Sequence, residues 1–256
     1  IKALIDTADC SHKARFTLID ADGNEKASTI ADLRPIISAK LPVEDSVLWN
    51  GRKNPYLYTV RCEIFDSTTE EVTDNIDIRT GLREYHIDSH KGFFLNGEHI
   101  KLQGVSRHQD RENMGNAITE KQHAEDVKII LDVGANSVRL AHYQQNSYFY
   151  DLCDESGLLV WAEVPVISRF SPKRNENAEQ QLVELIKQNY NHPSIFCWGI
   201  ENEITIAGSA SKKLITFLKH MHKVARHLDP TRYTTCAQLT MCPVNSPLNH
   251  TTDIIG

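Results

Sequence analysis

The sequence predicts a multi-domain protein of the β plus α/β class, in which an antiparallel β-sandwich precedes a parallel sheet with helices. Up to about residue 87, short segments alternate apolar and polar side chains, and turn residues recur at roughly ten-residue spacing, as in small sandwiches. Further along, strand-like and helix-like segments alternate strictly. This alternation predicts parallel strands joined by right-handed crossovers. A length of 256 residues is sufficient for one large or two medium domains.

The first part contains alternating strand segments, and a hairpin follows them. The strand segments are RFTLID (15–20), YLYTVRCEIFD (56–66) and NIDIRTGLREYHI (75–87), the last being one strand or a bent pair. The hairpin is FFLNGEHIKLQGV (93–105). Its Asn96-Gly97 pair between apolar flanks indicates a type I′ turn.

Helices and strands alternate after the hairpin. Thr119 begins the first helix, with Gln122 in the capping-box position, and Gly134 ends it. Apolar residues at helical spacing predict the other helices at 148–155, 178–186 and 214–228. The predicted strands are at 136–142, 158–164, 194–200, 232–238 and 253–256.

Periodicity alone is compatible with an open doubly wound sheet or with a barrel. A complete eightfold barrel needs about 250 residues, whereas residues 87–256 provide 170. A barrel formed by this chain would therefore be incomplete. Its open edges would expose core surface, so the chain could pair with another chain or associate with itself.

Composition and motifs argue against several functional classes. The net charge of −6 is mild and spread along the chain, which gives no support to nucleic-acid binding or to a polybasic membrane surface. No apolar run approaches the roughly 20 residues that a membrane-spanning helix needs. No GxGxxG or P-loop motif follows a strand and no HExxH-like spacing occurs, so neither a cofactor nor a protein-bound metal is predicted.

The cysteines and the N-terminal residues give little information about the cellular compartment of the protein. None of the six cysteines forms a CxxC pair, and Cys153 and Cys197 lie in apolar patterns, which predicts buried, reduced thiols. The first residue is Ile1, no signal peptide is visible, and we expect the chain to be part of a longer protein. The compartment is unknown, with the cytoplasm favoured over secretion.

Polar side chains collect at the carboxyl ends of the first predicted parallel strands. That end of the sheet is where ligands bind in parallel α/β folds. Each residue alone could be a structural ion-pair partner, a cap or a surface group. Their recurrence on successive strands instead favours a site. The residues are Arg107, His108, Arg139, His142, Glu163, Glu201, Asn202 and Glu203.

Two carboxylates around a sugar oxygen would be suited to glycoside hydrolysis, with one acting as general acid and the other attacking the anomeric carbon. Periodicity cannot decide between Glu201 and Glu203, because they lie two apart on one predicted strand. An aromatic wall under the sugar is also expected. The candidates for it are Trp161, Trp198, Tyr143 and Phe170.

Five segments of the sequence form a recognisable series in this order: LWNGRKNPYLYTV (48–60), FFLNGEHIKLQGVSRHQD (93–110), GANSVRLAHY (134–143), DESGLLVWAEVP (154–165) and NHPSIFCWGIENE (191–203). Together they resemble glycoside hydrolase family 2, the family of β-galactosidases, β-glucuronidases and β-mannosidases. The resemblance runs nearly end to end. It implies an immunoglobulin-like β-sandwich at 1–87, followed at 88–256 by a truncated (β/α)8 TIM barrel containing about strands 1–6.

The same resemblance assigns roles to the residues at the end of the fourth barrel strand. The family's Asn-Glu pair matches Asn202 and Glu203. Glu203 is then the general acid/base, and Asn202 hydrogen-bonds the 2-hydroxyl of the sugar. Glu201 stands where the family usually has a small or apolar residue, so we interpret it as auxiliary or structural.

Four further residues match positions in the family's sugar site. Arg139 matches the arginine beside the nucleophile, and Glu163 matches an acidic residue at the end of strand three. His108 and His142 match histidines that line the site.

The family pattern also contains parts that this sequence lacks. The nucleophile is a second glutamate at the end of barrel strand seven, and an N-terminal jelly-roll domain also belongs to the pattern. The acid and histidine that hold magnesium in some members are replaced by Ile167 and Arg169, which again predicts no metal. We therefore expect this chain to be inactive alone.

The function expected from this resemblance is that of a retaining hydrolase of terminal β-linked sugars. A β-galactosidase is favoured mildly by RHQD (107–110) and AHY (141–143). A β-glucuronidase or β-mannosidase of the same family is the alternative. A non-catalytic carbohydrate-binding or interaction module is a hypothesis of a different class. In either case a carbohydrate is the expected partner.

Overall fold

The computed structural model describes residues 1–6, 11–206 and 208–256. The N-terminal region is made of strands, namely β1 (Lys2–Leu4), β2 (His12–Ile19), β3 (Glu25–Asp32), β4 (Ile36–Ser38), β5 (Tyr58–Asp66) and β6 (Val72–Thr80). Four of them form an antiparallel sheet in the order β3-β2-β5-β6, and β1 pairs with β4. Ala14, Phe16 and Ile37 are buried between these two layers. The predicted sandwich is therefore present.

A small antiparallel sheet connects the sandwich to the rest of the chain. Its strands are β7 (Tyr85–Asp88), β8 (Gly92–Leu95) and β9 (Glu98–Ile100). Asn96 and Gly97 have φ angles of 50° and 80°, as the predicted type I′ turn requires. The predicted domain boundary between 87 and 88 falls within β7 and stays a prediction.

The C-terminal region is a parallel sheet with helices between its strands. Its elements are β10 (Gly104–Arg107), α1 (Glu120–Asp132), β11 (Ser137–Leu140), α2 (Ser147–Ser156), β12 (Leu159–Glu163), α3 (Asn175–Asn189), β13 (Ile195–Asn202), α4 (Lys212–Leu228), β14 (Tyr233–Ala237) and β15 (Ile254–Ile255). Short 3₁₀ turns lie at Gly51–Lys53, Pro172–Arg174 and Pro247–His250.

The order of these parallel strands distinguishes a barrel from an open sheet. The six strands lie side by side in chain order, from β10 to β15. A doubly wound sheet instead reverses its strand order at a switch point, whereas a barrel keeps chain order. The predicted fold class, an immunoglobulin-like sandwich followed by a truncated TIM barrel, is confirmed.

Side chains alternate between the interior of the barrel and the layer of helices. Val138, Leu140, Val160 and Ala162 pack into the large core that includes the helices. The residues between them, such as Arg139 and the residues flanking Ala162, face the interior. This alternation follows from the two-residue period of a strand. It brings ionisable groups to the inner surface of the sheet.

The sandwich is attached to the barrel by hydrogen bonds to main-chain oxygens. The indole Nε1 of Trp49 donates to the carbonyl of Asp154 at 2.9 Å. The guanidinium of Arg83 donates to the carbonyls of Pro193 and Ile195, next to the start of β13. Because β13 ends at the candidate site, these contacts help to fix the strand that carries it.

The predictions about the cysteines and about membrane-spanning helices can be compared directly with the structure. The cysteines at 62, 153, 197, 236 and 242 are free, and Cys153 and Cys197 are buried as predicted. Cys10 lies outside the described residues. Among the helices in the described ranges, none combines the length and apolar character needed to cross a bilayer.

Candidate active site

Glu163 is the centre of a polar network at the carboxyl ends of β11, β12 and β13. Arg139 Nε donates to its Oε1 at 2.5 Å, and His142 Nδ1 lies 2.7 Å from its Oε2. The Arg139 guanidinium also donates to Oδ1 of Asn202 at 2.6 Å. Glu163 is only 1% exposed. Four of the predicted site residues are therefore in direct contact, and a buried carboxylate joins two of them.

The hydrogen bonds of His142 indicate its tautomer. Nδ1 lies 3.2 Å from an Arg139 nitrogen and 2.7 Å from Glu163, and only the carboxylate can accept a proton from it. Nδ1 therefore carries hydrogen toward Glu163, which leaves Nε2 for a ligand. The Ala141–His142 peptide is cis.

His108 lies next to this network and is exposed. Its ring meets the ring of His142 edge-on, with 5.2 Å between centroids, and the ring of Tyr143 lies 6.0 Å away. The hydroxyl of Tyr143 accepts a hydrogen bond from the backbone of Gln109 at 3.0 Å, which holds the loop after β10. The structure thus brings His108 and His142 together at one edge of the site.

Trp161 lies beneath Arg139 inside the barrel. The guanidinium carbon of Arg139 is 5.0 Å from the centroid of the indole, within range of a cation–π interaction. The site needs glycine at position 199, because an added Cβ would lie 2.5 Å from the indole Nε1 and 2.6 Å from Cγ of Glu163. Gly199 therefore leaves room for two side chains of the site.

The other aromatic candidates have different surroundings. Trp198 is fully buried and donates to Asp229 at 2.9 Å, so it belongs to the core. Phe170 packs on Phe217 of α4, with 5.6 Å between their centroids. Of the candidates for an aromatic wall, Trp161 and Tyr143 contact residues of the polar network or of its edge.

Asn202 and Glu203 lie where β13 ends. The backbone N–H of Asn202 donates to the carbonyl of Val166, and its carbonyl accepts from Ser168, both at 2.9 Å. Glu203 has a left-handed φ of 47° and its N–H donates to Ala237 at 2.8 Å. The Glu203 side chain is half-buried. Among the described residues, no hydrogen bond or ion pair is made by its carboxylate.

Glu201 has a different environment from Glu203. Its side chain is 1% exposed, and Oε2 accepts the backbone N–H of Ile204 at 3.1 Å. Within the described part of the chain, Oε1 has no hydrogen-bond partner. Burial raises the pKa of this carboxyl to about 7, although the hydrogen bond from Ile204 opposes the rise.

Arg107 is the last residue of β10, as predicted, but its side chain does not join the polar network. It is buried and forms an ion pair of 2.7 Å with Asp126 of α1, and its guanidinium lies 3.9 Å above the ring of Phe149. The physical reason is alternation along β10, which directs this side chain toward the helices and leaves His108 at the carboxyl end.

One other group of ionisable residues was missed by the sequence analysis. Asp151, Asp154 and His192 lie close enough to offer ligand atoms to a metal ion. However, Asp154 already accepts from His192 at 2.6 Å and from the Ser194 backbone at 3.1 Å. Asp151 forms an ion pair of 3.1 Å with Arg79 of the sandwich. These contacts give the cluster a structural role.

Comparison with known proteins adds independent information. The family model described as "Glycosyl hydrolases family 2" matches residues 3–83, and the one described as "Glycosyl hydrolases family 2, TIM barrel domain" matches residues 87–252. A β-glucuronidase of Bacteroides fragilis is 42% identical over 206 residues, which cover 77% of this chain and 29% of that relative. A β-galactosidase of Thermoanaerobacter pseudethanolicus is 31% identical over 222 residues, covering 85% and 29%.

A solved structure agrees with this assignment. The crystal structure of an FMN-binding β-glucuronidase from Facaelibacterium prausnitzii L2-6 superimposes with a TM-score of 0.91 at 42% identity, covering 97% of this chain and 38% of that one. The chain thus spans less than two-fifths of the length of these relatives. By sequence and by fold, the chain belongs to glycoside hydrolase family 2.

Proposed function

We propose that this chain is the part of a retaining β-glycosidase that supplies its general acid/base and much of its sugar site. The observation that carries the proposal is the network of Arg139, Glu163, His142 and Asn202 directly beside Glu203. Such a network holds polar groups in fixed positions inside a largely buried site, as transition-state stabilisation requires.

Glu203 is the proposed proton donor. In the first step, a carboxylate nucleophile attacks the anomeric carbon while Glu203 protonates the departing oxygen. In the second step, the Glu203 carboxylate takes a proton from water, and the resulting hydroxide releases the sugar and regenerates the nucleophile. This mechanism needs no cofactor. The free carboxylate of Glu203 is compatible with both steps.

Glu163 is not suited to be the nucleophile. One of its oxygens accepts from Arg139 and the other faces His142. Both oxygens are thus engaged by neighbouring side chains, and the residue is 1% exposed, so neither oxygen is left to attack a sugar. We therefore propose that the attacking carboxylate comes from a part of the protein outside this chain, as the family pattern implies.

Asn202 is proposed to bind the 2-hydroxyl of the sugar. Its Oδ1 accepts from Arg139 at 2.6 Å, so the orientation of the amide is fixed. The Nδ2 group is then the part of the amide left to donate to a ligand.

We propose a terminal β-glucuronide as the substrate. The support is that the relatives at 42% identity, in sequence and in structure, are β-glucuronidases. A β-galactoside, which the sequence analysis favoured, is the second candidate, because a relative at 31% identity is a β-galactosidase.

The test is hydrolysis of p-nitrophenyl β-glucuronide, β-galactoside and β-mannoside by the full-length protein and by the 256-residue chain. We expect the full-length protein to hydrolyse the glucuronide, the chain alone to be inactive, and Glu203→Gln to lose turnover by roughly 100-fold or more. Turnover of the galactoside instead would replace the proposed sugar. Turnover by the isolated chain would show that the nucleophile is among its own residues. If the full-length protein hydrolyses none of these glycosides, the proposal that it is a glycosidase is wrong.

A further inference from the structure

Glu201 is a buried carboxyl that the proposed reaction does not use. It lies one residue before the end of β13 and is 1% exposed. A buried carboxyl without a full set of partners is costly, and Oε1 has none among the described residues. Its one hydrogen bond is therefore the contact to examine.

That hydrogen bond joins Glu201 to the residue that follows Glu203. Oε2 of Glu201 accepts the backbone N–H of Ile204 at 3.1 Å, across the main chain of Asn202 and Glu203. The interaction closes a short loop around the two residues with proposed roles in the reaction. It is shielded from water, because Ile204 is also buried.

The backbone of Glu203 needs such support. Its φ of 47° is in the left-handed region, which side chains other than glycine adopt infrequently. Three hydrogen bonds of the described residues hold the main chain here: from Glu203 N–H to Ala237, from Ile204 N–H to the Glu201 side chain, and from Ile206 N–H to the Glu203 carbonyl at 2.9 Å. The first is a contact with β14, and the second depends on a side chain.

We propose that Glu201 is a positioning residue, whose carboxyl fixes the left-handed turn at Glu203 and so aims the Glu203 carboxyl at the glycosidic oxygen. The proposal rests on the proposed function, because it concerns the same proton transfer. It requires only an acceptor oxygen at position 201, so glutamine satisfies it and leucine of similar size does not.

The first measurement compares kcat/KM of the full-length protein for glycosides that differ only in their leaving group. Protonation by Glu203 matters most when the departing oxygen is a poor leaving group. In Glu201→Leu we expect kcat/KM for a methyl or phenyl β-glycoside to fall about 10- to 100-fold more than for the 2,4-dinitrophenyl β-glycoside of the same sugar. In Glu201→Gln, we expect kcat/KM to depend on the leaving group as it does in the wild type.

A control variant separates positioning from simple loss of folded enzyme. Leu185→Ala removes a fully buried side chain of α3, which destabilises the barrel core without changing the turn at Glu203. A smaller amount of folded enzyme lowers all rates equally, so we expect this variant to keep the wild-type dependence on leaving group. If Glu201→Leu shows the same parallel loss, the proposal is wrong.

Hydrogen exchange gives a readout that does not need turnover. The Ile204 amide should exchange faster in Glu201→Leu than in wild type or Glu201→Gln, while amides of α1 should be unchanged. Unchanged protection at Ile204 would overturn the proposal even in an active enzyme. Faster exchange in a protein that hydrolyses no glycoside would support the structural part and contradict the proposed function alone.

Discussion

Asn202 and Arg139, on non-adjacent strands of the barrel, are joined by a hydrogen bond of 2.6 Å from the guanidinium to Oδ1. The same guanidinium donates to Glu163 on the strand between them. The orientation of a side-chain amide is ambiguous by itself, because its oxygen and nitrogen have nearly the same shape. Here the contact with the Arg139 cation determines which end of the amide is available to a ligand.

The first prediction concerns that available end. Asn202→Ala should lower kcat/KM of the full-length protein about 10- to 100-fold, as expected for a hydrogen bond that strengthens with developing charge. The loss should nearly vanish with a 2-deoxy glycoside, which has no hydroxyl to bind. Steady-state rates for both substrates test this, and an equal loss on both would argue against contact with the 2-hydroxyl.

The second prediction concerns the buried carboxylate of Glu163. Glu163→Gln would leave Arg139 and His142 without their shared anion, so the free energy of unfolding should fall by about 2–4 kcal/mol. Urea unfolding measures this change. Lys128 and Asp132 form an exposed ion pair on α1, and Asp132→Asn should change stability by less than about 1 kcal/mol. If both variants lose a similar amount of stability, Glu163 contributes no more than an exposed ion pair and the prediction is wrong.

The third prediction concerns the space above Gly199. A methyl group there would meet Trp161 and Glu163 at 2.5 and 2.6 Å, so Gly199→Ala should destabilise the barrel by about 1–3 kcal/mol. Gly208 is the matched control, because no described residue beyond its chain neighbours has an atom within 4 Å of a Cβ added there. We expect Gly208→Ala to leave the melting temperature almost unchanged, and equal shifts for the two variants would contradict the packing argument.

The fourth prediction is a pH dependence of stability. Burial raises the pKa of Glu201 from an ordinary 4.5 to about 7. Between these values the folded protein binds more protons than the unfolded chain, so the free energy of unfolding falls as pH rises through this window. The full effect, reached above pH 7, is about 3 kcal/mol.

Glu201→Gln should therefore lose less stability than wild type between about pH 5 and pH 8, as measured by urea unfolding at each pH. The charged or titratable groups that act on this carboxyl are Glu163, Arg139 and the Cys236 thiol, and all of them are unchanged in the variant. Parallel pH profiles for the two proteins would show that Glu201 does not titrate in this window.

Much of the fold was predictable because it depends on local periodicity. The capping box at Thr119 and Gln122 is present, with the Thr119 N–H donating to the Gln122 side chain at 2.8 Å. The alternation of helices and strands also follows the sequence. In contrast, β1, β3 and β4 were not predicted, because they are short or have few large apolar residues and depend on pairing with neighbouring strands.

The site was predictable in its members and less so in its contacts. Their positions at the ends of predicted strands identified Arg139, His142, Glu163 and Asn202, and the structure brings these four residues together. The direction of the Arg107 side chain was not predicted, because the phase of a four-residue strand cannot be read from sequence. The environment of Glu201 could not be predicted either, because it depends on residues that are distant in sequence, such as Glu163 and Cys236. The individual catalytic roles stay predictions.

The contacts of the site also have a consequence for biosynthesis. Arg139, His142, Glu163 and Asn202 come from three consecutive strand–helix units, and the most distant pair in contact is 63 residues apart in sequence. A ribosome delivers these units in order, and domains fold progressively as the chain emerges. These three units can therefore assemble on the nascent polypeptide before β14 and β15 are translated, and β13 would offer β14 a preformed edge on which to add.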